Sequence, residues 1–527
     1  ADMARNPGEE ETAFTVEEVA QHSSPDDIWL IIDSSVYDVS KFLKLHPGGR
    51  GVMLPYAGKD ATEAFFALHK TEVLDKYRDK LYKGVIMGGK PKYHTHNSVE
   101  YVSEVPFAEP SWIRGGGWRS PYHNESHRAF RDGVREFLHK HIVPEMADGE
   151  DSGSSPSLEM YQQMGRNGIL ASRIGAGCMP IIKDIPEIKL PSGLTSDKFD
   201  CFHEQIVHEE IGNCGYPGFT DGLGAGFCIG LPPILHFGAP AVRDKVVPEV
   251  LLGDKRVCLA ISEPVAGSDV AGIQSYCTKS ADGSHYVVNG VKKWITNGVF
   301  ADYFVTAAKG PGKGMTLLLI ERSEGLNTRP IKTSYSPAAG TALVTFDDVI
   351  VPACNLLGKE NDGFKCVMAN FNHERWFINC QVLAGCRLII KDCMTWCNQR
   401  KVFGKPLIEQ PVIRNKLARM VGSVESCYSW LESITHQMNT MSYKEQNLKL
   451  GGPIALLKFQ CTRSATLVSD EACQIFGGRS ITKSGMGGNV ERFQRTFKFG
   501  AILGGSEEIM ADLGIRQAFR DMPAHAR

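Results

Sequence analysis

From Gly363 onward the apolar residues Val367, Phe371, Ile378, Val382, Cys386, Ile389 and Cys393 recur at intervals of three, four or seven. That spacing is the stripe of one long helix with a buried face. Upstream, Phe130, Val134, Phe137, Leu138 and Ile142 keep the same period until Pro144, and helix-like, Gly-rich pieces run to about Leu252. Residues 256–355 change character. Tyr286-Val287-Val288, a turn at Asn289-Gly290 and residues 291–296 predict a hairpin, and 315–320 and 341–351 predict further strands. Ahead of all this, 14–88 form a small cysteine-free unit. Residues 89–119 lack periodicity and carry Gly-Gly-Lys-Pro, Glu-Val-Pro, Glu-Pro-Ser and Gly115-Gly116-Gly117. They predict a linker, long enough to leave the first unit at a variable position or to wrap over its neighbour. The expected domains are 14–88, the linker 89–119, then 120–252 (helical), 253–360 (β) and 361–520 (helical).

Composition narrows the function. A chain of 527 residues suggests three to four domains. Lys+Arg 58 against Asp+Glu 60 leaves no basic field to hold nucleic acid. No apolar run approaches the ~20 residues of a membrane span. The N-terminal residues have neither the basic start nor the apolar core of a secretory signal, and are too acidic for a mitochondrial transit peptide. The last four, Ala524-His525-Ala526-Arg527, match no common peroxisomal or retention tail. All 15 cysteines lie from Cys178 onward with no C-x-x-C pair, and Cys393 and Cys397, one helical turn apart, read as core residues. A reducing intracellular compartment is expected: cytoplasmic, or mitochondrial if a presequence has been removed.

Residues 42–69 read FLKLHPGGRGVMLPYAGKDATEAFFALH. His46 and His69 are 23 positions apart, too far for one helix face, so they can approach a ligand from opposite sides. Pro47 fixes the backbone after His46, Gly48-Gly49 permit a tight turn, and Phe42, Leu45, Val52, Leu54, Phe65 and Leu68 can wall an apolar slot. The string resembles the cytochrome b5 domain over residues 14–88. The resemblance implies a b-type haem with His46 and His69 as axial iron ligands. With both axial positions filled and no open site for dioxygen, such a domain moves single electrons.

Four further strings stand in order: Leu259-Ala-Ile-Ser-Glu-Pro264 with Ala266-Gly-Ser-Asp269; Lys293-Trp-Ile-Thr-Asn-Gly298; Arg400-Lys-Val-Phe-Gly-Lys-Pro-Leu407 with Gln410; and Gln474-Ile-Phe-Gly-Gly478 with Leu503-Gly-Gly-Ser-Glu-Glu-Ile509. Together they resemble the acyl-CoA dehydrogenase family across residues 120–520. The implied fold is multidomain α+β: a cytochrome b5-like unit, a helical domain, a middle β-barrel-like domain and a C-terminal four-helix bundle. With no G-x-G-x-x-G after a strand, a Rossmann site is not expected. FAD is implied instead. Ile261 and Ser262 would line the flavin, Gly267 and Ser268 meet its pyrophosphate, and Trp294 and Thr296 cover the isoalloxazine. Arg400, Phe403, Gln474, Gly477 and Gly478 would reach the adenosine half from a neighbouring subunit, which implies a homodimer or homotetramer. Ser506 and Glu508 of the last string join the cofactor set.

The reaction this family carries out needs a carboxylate to take an α-proton of an acyl thioester while hydride leaves the β-carbon. In much of the family that Glu occupies the place of Gly504, which cannot act as a base. Phe371-Asn-His-Glu-Arg-Trp376 supplies a second location. The long-chain and isovaleryl branches carry their base in such a Glu-Arg pair, so the resemblance assigns the base to Glu374 and an organising role to Arg375. Glu374 falls three after Phe371 and four before Ile378, on the buried face, where desolvation raises a carboxyl pKa. The Gly504 N–H remains a donor for the thioester carbonyl. The implied activity is a flavoprotein forming an α,β double bond in an acyl-CoA, with electrons leaving through the fused haem, an electron-transferring flavoprotein or another external acceptor. The stretches 179–191 and 222–230 are candidates to shape the substrate pocket. The competing readings are a flavin oxidase or dehydrogenase on a non-CoA substrate and a non-catalytic redox or DNA-associated relative.

Overall fold

The computed structural model of the protein describes residues 12–69, 72–91, 102–113 and 118–526. They fall into two compact units. The first holds Ala1–Glu100, Met394–Arg414 and Phe476–Gly488; the second holds Tyr101–Cys393, Asn415–Ile475 and Asn489–Arg527.

In the first unit the apolar strand Asp27–Ile32 turns back onto Ser35–Asp38 through Asp33 and Ser34, both at positive φ (49° and 68°). A two-residue turn of this hand matches the strand twist, and Asp tolerates the left-handed region. Tyr82–Ile86 pairs with Ser35–Asp38 and, in parallel, with Ala13–Phe14. Ile28, Leu30, Tyr37, Phe66 and Leu74 form the core beneath this sheet. The Asp33 N–H donates to Thr62 Oγ1 at 2.9 Å, tying the turn to the short Thr62–Phe66 helix.

The second unit begins in the predicted linker. Residues 92–101 and 114–117, including Gly115–Gly117, lie outside the described residues, but 102–113 wrap onto the neighbouring helices. Trp112 is 1 % exposed, donates from Nε1 to Tyr428 Oη at 3.1 Å and stacks on His123. The Glu125–His141 helix buries Phe130, Val134, Phe137 and Leu138 as the period predicts. Pro144 does not end helical structure. It falls in the first turn of the Val143–Ser152 helix, where a missing N–H is tolerated.

The β region is an eight-stranded, largely antiparallel sheet from Val257–Ala260 to Leu356–Leu357. Asn289-Gly290 is no hairpin turn: His285–Ile295 is one continuous strand, paired with Ala342–Pro352 along its length. The Asn289 and Asp348 side chains clasp each other across a bulge, with Asn289 Nδ2 donating to Asp348 Oδ1 at 2.8 Å. A β-carbon at Gly290 would stand 2.3 Å from Ser275 Oγ, so glycine is required for close strand approach rather than for reversal.

The predicted long helix runs from Gly363 to Gln399, and Pro411–Thr440, Gly451–Phe476 and Glu507–Asp521 are the other long helices of the C-terminal part, with shorter ones at Tyr443–Lys449, Gly488–Thr496 and Lys498–Ile502. Its buried surface is wider than the predicted stripe, with Trp376, Phe377, Cys380, Leu383, Ile390 and Trp396 also enclosed, whereas Phe371 and Val382 are only half-buried. Helices packed against partners on several sides bury more than one stripe. Cys393 and Cys397 are core residues. Among the described residues no helix is long and apolar enough to cross a membrane.

Candidate functional site

Glu374 lies one-third of the way along the Gly363–Gln399 helix and is 6 % exposed. Its Oε2 has no hydrogen-bond partner among the described residues. Burial pushes the carboxyl up to about 7, against the pull of Arg375, Lys458 and His373. A carboxyl so placed changes protonation near neutral pH, as a general base requires.

Gly504, far away in sequence, meets it. Gly504 has φ +64°, and a β-carbon there would stand 2.9 Å from Ile378 Cδ1 and 3.4 Å from Glu374 Oε1. The Arg375 side chain turns to this segment, its Nε donating to the Gly504 carbonyl at 2.9 Å. Three residues that the sequence reading named thus stand around one point.

Three others in this neighbourhood escaped that reading. Lys458 is fully buried and donates to the carbonyls of Gly500 and Gly505 at 3.0 and 2.8 Å. His373 Nε2 bonds to Glu204 Oε1 from the Cys201–Gly212 helix. Burial pulls the His373 imidazole down, but the Glu204 carboxylate outweighs it and holds the ring above its ordinary value.

The flavin-associated strings occupy the sheet's rim. Ile261 and Ser262 follow the Val257–Ala260 strand, with carbonyls committed to the protein: Ile261 accepts from Lys292 Nζ at 3.0 Å and Ser262 from the Lys293 N–H at 2.9 Å. With those carbonyls committed, the polar group that this loop has to offer a ligand is the hydroxyl of half-buried Ser262. Lys292 also donates to Glu263 Oε1 at 2.7 Å, an ion pair 0 % and 3 % exposed that sequence reading missed. Gly267 and Ser268 lie exposed beyond it. Trp294 is not a core aromatic: it sits at φ +70°, 53 % exposed, at the strand's irregular end, next to half-buried Thr296. Asn297, 2 % exposed, anchors this end by donating to Asp221 O and Ala339 O and accepting from Gly226 N–H. A hydroxyl donor on one side and an exposed indole on the other suit an electron-poor, acceptor-rich ring with a pyrophosphate tail.

Gln474 and half-buried Arg400 stand near the ends of long helices, with Gln474, Gly477 and Gly478 exposed. Phe403 tops the Lys401–Val402/Lys405–Pro406 hairpin, 96 % exposed at φ +50°. Gln474 belongs to the second unit; Arg400, Phe403, Gly477 and Gly478 belong to the first. Ser506 has a local task, capping the Glu507–Asp521 helix by accepting the Ile509 N–H, and Glu508 is exposed in that helix's first turn.

In the first unit the rings of His46 and His69 meet edge to face, with centroids 5.8 Å apart and planes 61° from parallel. His69 Nδ1 bonds to the Phe65 carbonyl at 3.1 Å, so Nε2 is the ring atom that could coordinate a metal. Burial lowers the His69 pKa, favouring the neutral imidazole that binds metal. Around the pair, Leu45, Val52 and Leu68 are 73 %, 49 % and 52 % exposed, apolar surface of the kind a flat macrocycle covers. The residues fit a haem.

Comparison with known proteins agrees domain by domain. Residues 15–87 match the cytochrome b5-like heme/steroid binding domain. Residues 124–181, 258–349 and 361–519 match the N-terminal, middle and C-terminal domains of acyl-CoA dehydrogenase. The chain is 37 % identical over 428 residues to the acyl-CoA dehydrogenase apdG of Emericella nidulans, covering 79 % of this chain and 95 % of that one. It is 26 % identical to the mitochondrial long-chain specific acyl-CoA dehydrogenase of Mus musculus, over 81 % of this chain and 94 % of that one. Among solved structures, the butyryl-CoA dehydrogenase of Megasphaera elsdenii aligns with TM-score 0.66 at 26 % identity, covering 76 % of this chain and 100 % of that one. The acyl-CoA dehydrogenase of Geobacillus kaustophilus aligns with the same TM-score at 27 % identity, over 77 % and 100 %. The chain belongs to the acyl-CoA dehydrogenase family of FAD-dependent oxidoreductases, with a cytochrome b5-like haem domain fused ahead of the dehydrogenase domains.

Proposed function

We propose that this protein introduces an α,β double bond into an acyl-CoA and that Glu374 is the base. The observation that carries the reading is the buried Glu374 carboxylate, with Oε2 unpartnered, beside Gly504. Glu374 takes the α-proton. The Gly504 N–H donates to the thioester carbonyl, whose oxygen gains charge as the proton leaves. Arg375 holds the Gly504 carbonyl and so fixes the Gly504–Gly505 peptide, the neighbour of the peptide that carries the Gly504 N–H. Trp294 and Thr296, with Ile261, Ser262, Gly267 and Ser268, hold the flavin. FAD supplies the hydride acceptor when bound, and haem a one-electron relay.

His46 and His69 would hold the haem iron, which would supply a one-electron acceptor, and the tether between the two domains would raise the effective concentration of this internal acceptor. An electron-transferring flavoprotein is the alternative acceptor. Phe403 at 96 % exposure is costly in water. With Arg400, Gln474, Gly477 and Gly478 it grips the adenosine half of FAD bound by a second copy, which makes the working form a homo-oligomer. Anaerobic mixing with butanoyl-, octanoyl- and hexadecanoyl-CoA tests the reading. Bleaching of the flavin band followed by reduction of the haem band supports it; no bleaching with any of them refutes it.

A further inference from the structure

Lys458 stands on the Gly451–Phe476 helix, 0 % exposed, with Ile454, Ala455, Leu457 and Cys461 buried around it. A buried ammonium costs several kcal/mol unless its hydrogens find partners. Two of its donors go to the Gly500 and Gly505 carbonyls at 3.0 and 2.8 Å. Those carbonyls bracket Leu503-Gly504, and the Gly504 carbonyl between them is held by Arg375 Nε. Two cations thus pin the carbonyls at 500, 504 and 505. Lys458 Cε is 3.6 Å from the β-position of Gly504, and Glu374 Oε1 is 3.4 Å from the same point. The charged and titratable groups acting on Lys458 are Glu374 and Arg375 from one helix, Glu507 from another, and Cys461 on its own; those acting on Glu374 are Arg375, Lys458 and His373.

We infer that Lys458 is a positioning residue for the reaction assigned above: by holding the Gly500 and Gly505 carbonyls it fixes the two ends of the short segment that carries the Gly504 N–H, and so its direction, and its charge favours the ionised carboxylate of Glu374. The inference rests on the proposed base and donor. It accounts for a lysine, a point charge with three donors, where an apolar side chain would fill the same volume without desolvation cost.

Lys458→Met removes charge and donors at nearly constant length, and Lys458→Gln removes the charge but keeps an amide donor. Both are mixed anaerobically with the acyl-CoAs above across pH 5.5–9, following the flavin band. In both, the pH midpoint of flavin bleaching rises by about one unit, because a neighbouring cation has gone. The limiting rate falls roughly tenfold to a hundredfold in the Met variant, the scale on which supporting contacts act, and less in the Gln variant. Acyl-CoA affinity stays within about threefold in both. A midpoint and rate that match the parent in both variants overturn the inference. So does loss of flavin from both, which would assign Lys458 to cofactor retention. If only the Met variant loses flavin, the Gln variant decides by the same midpoint and rate. A parent protein that none of the acyl-CoAs bleaches overturns the functional reading itself, a result distinct from unaltered variants of an active parent.

Discussion

Glu374 Oε1 lies 3.4 Å from the point where a side chain at Gly504 would begin. A carboxylate on the long helix therefore reaches the same space as one carried by the segment before the last helix. The two positions are alternatives, and an acid at both would set like charges side by side.

Gly504→Ala should cost about 1–2 kcal/mol, because φ +64° is strained for any β-carbon and Ile378 Cδ1 stands 2.9 Å away. The same shift turns the Gly504 N–H, so flavin reduction by acyl-CoA slows as well. Thermal unfolding and stopped-flow absorbance measure the two effects on one sample.

Glu374 must be ionised to accept a proton, and burial lifts its pKa to about 7. Flavin reduction should rise with pH through about 7 and level off above it. The same shift affects stability in the opposite sense. The folded state holds this proton more tightly than the unfolded chain, so stability declines as pH climbs from the ordinary carboxylate range to about 7 and stays flat beyond. Glu374→Gln should therefore be more stable than the parent at pH 8, on the order of 2 kcal/mol, and no more stable at pH 4. Denaturant melts at the two pH values check the sign.

Lys292→Met leaves the buried Glu263 carboxylate with only the Gln274 and Ser275 N–H groups as donors, which should cost about 3 kcal/mol and loosen the Ile261–Ser262 loop. The purified variant should carry less FAD per chain. Adding Glu263→Gln should recover only part of the lost stability, since the charge is then gone but the amide can accept from just one of the Gln274 and Ser275 N–H groups. Thermal melts of the three proteins, with flavin content from absorbance, test this.

His46→Ala and His69→Ala should each abolish the haem spectrum while sparing flavin reduction by acyl-CoA. Loss of both signals together would contradict separate roles for the two domains.

How far the sequence could be read depended on whether a signal was local. The stripe from Val367 to Cys393 made the long helix legible, and the Phe371–Glu374–Ile378 spacing placed the carboxyl on its buried face. Asn289-Gly290 misled because the same dipeptide serves a tight turn or a strand that must let Ser275 approach, and only the pairing with Ala342–Pro352 distinguishes them. Lys458 left a faint trace, one lysine on an apolar helix face, but its partners at 500 and 505 are set by the fold. The Glu204–His373 and Glu263–Lys292 pairs join segments far apart in the chain and left none.

The base assignment is tested most directly by Glu374→Gln mixed anaerobically with acyl-CoA. The variant should arrive yellow, bind the thioester and leave its flavin oxidised for at least a thousandfold longer than the parent, roughly 4 kcal/mol of lost transition-state stabilisation. A variant that bleaches at the parent's rate would show that another group takes the proton.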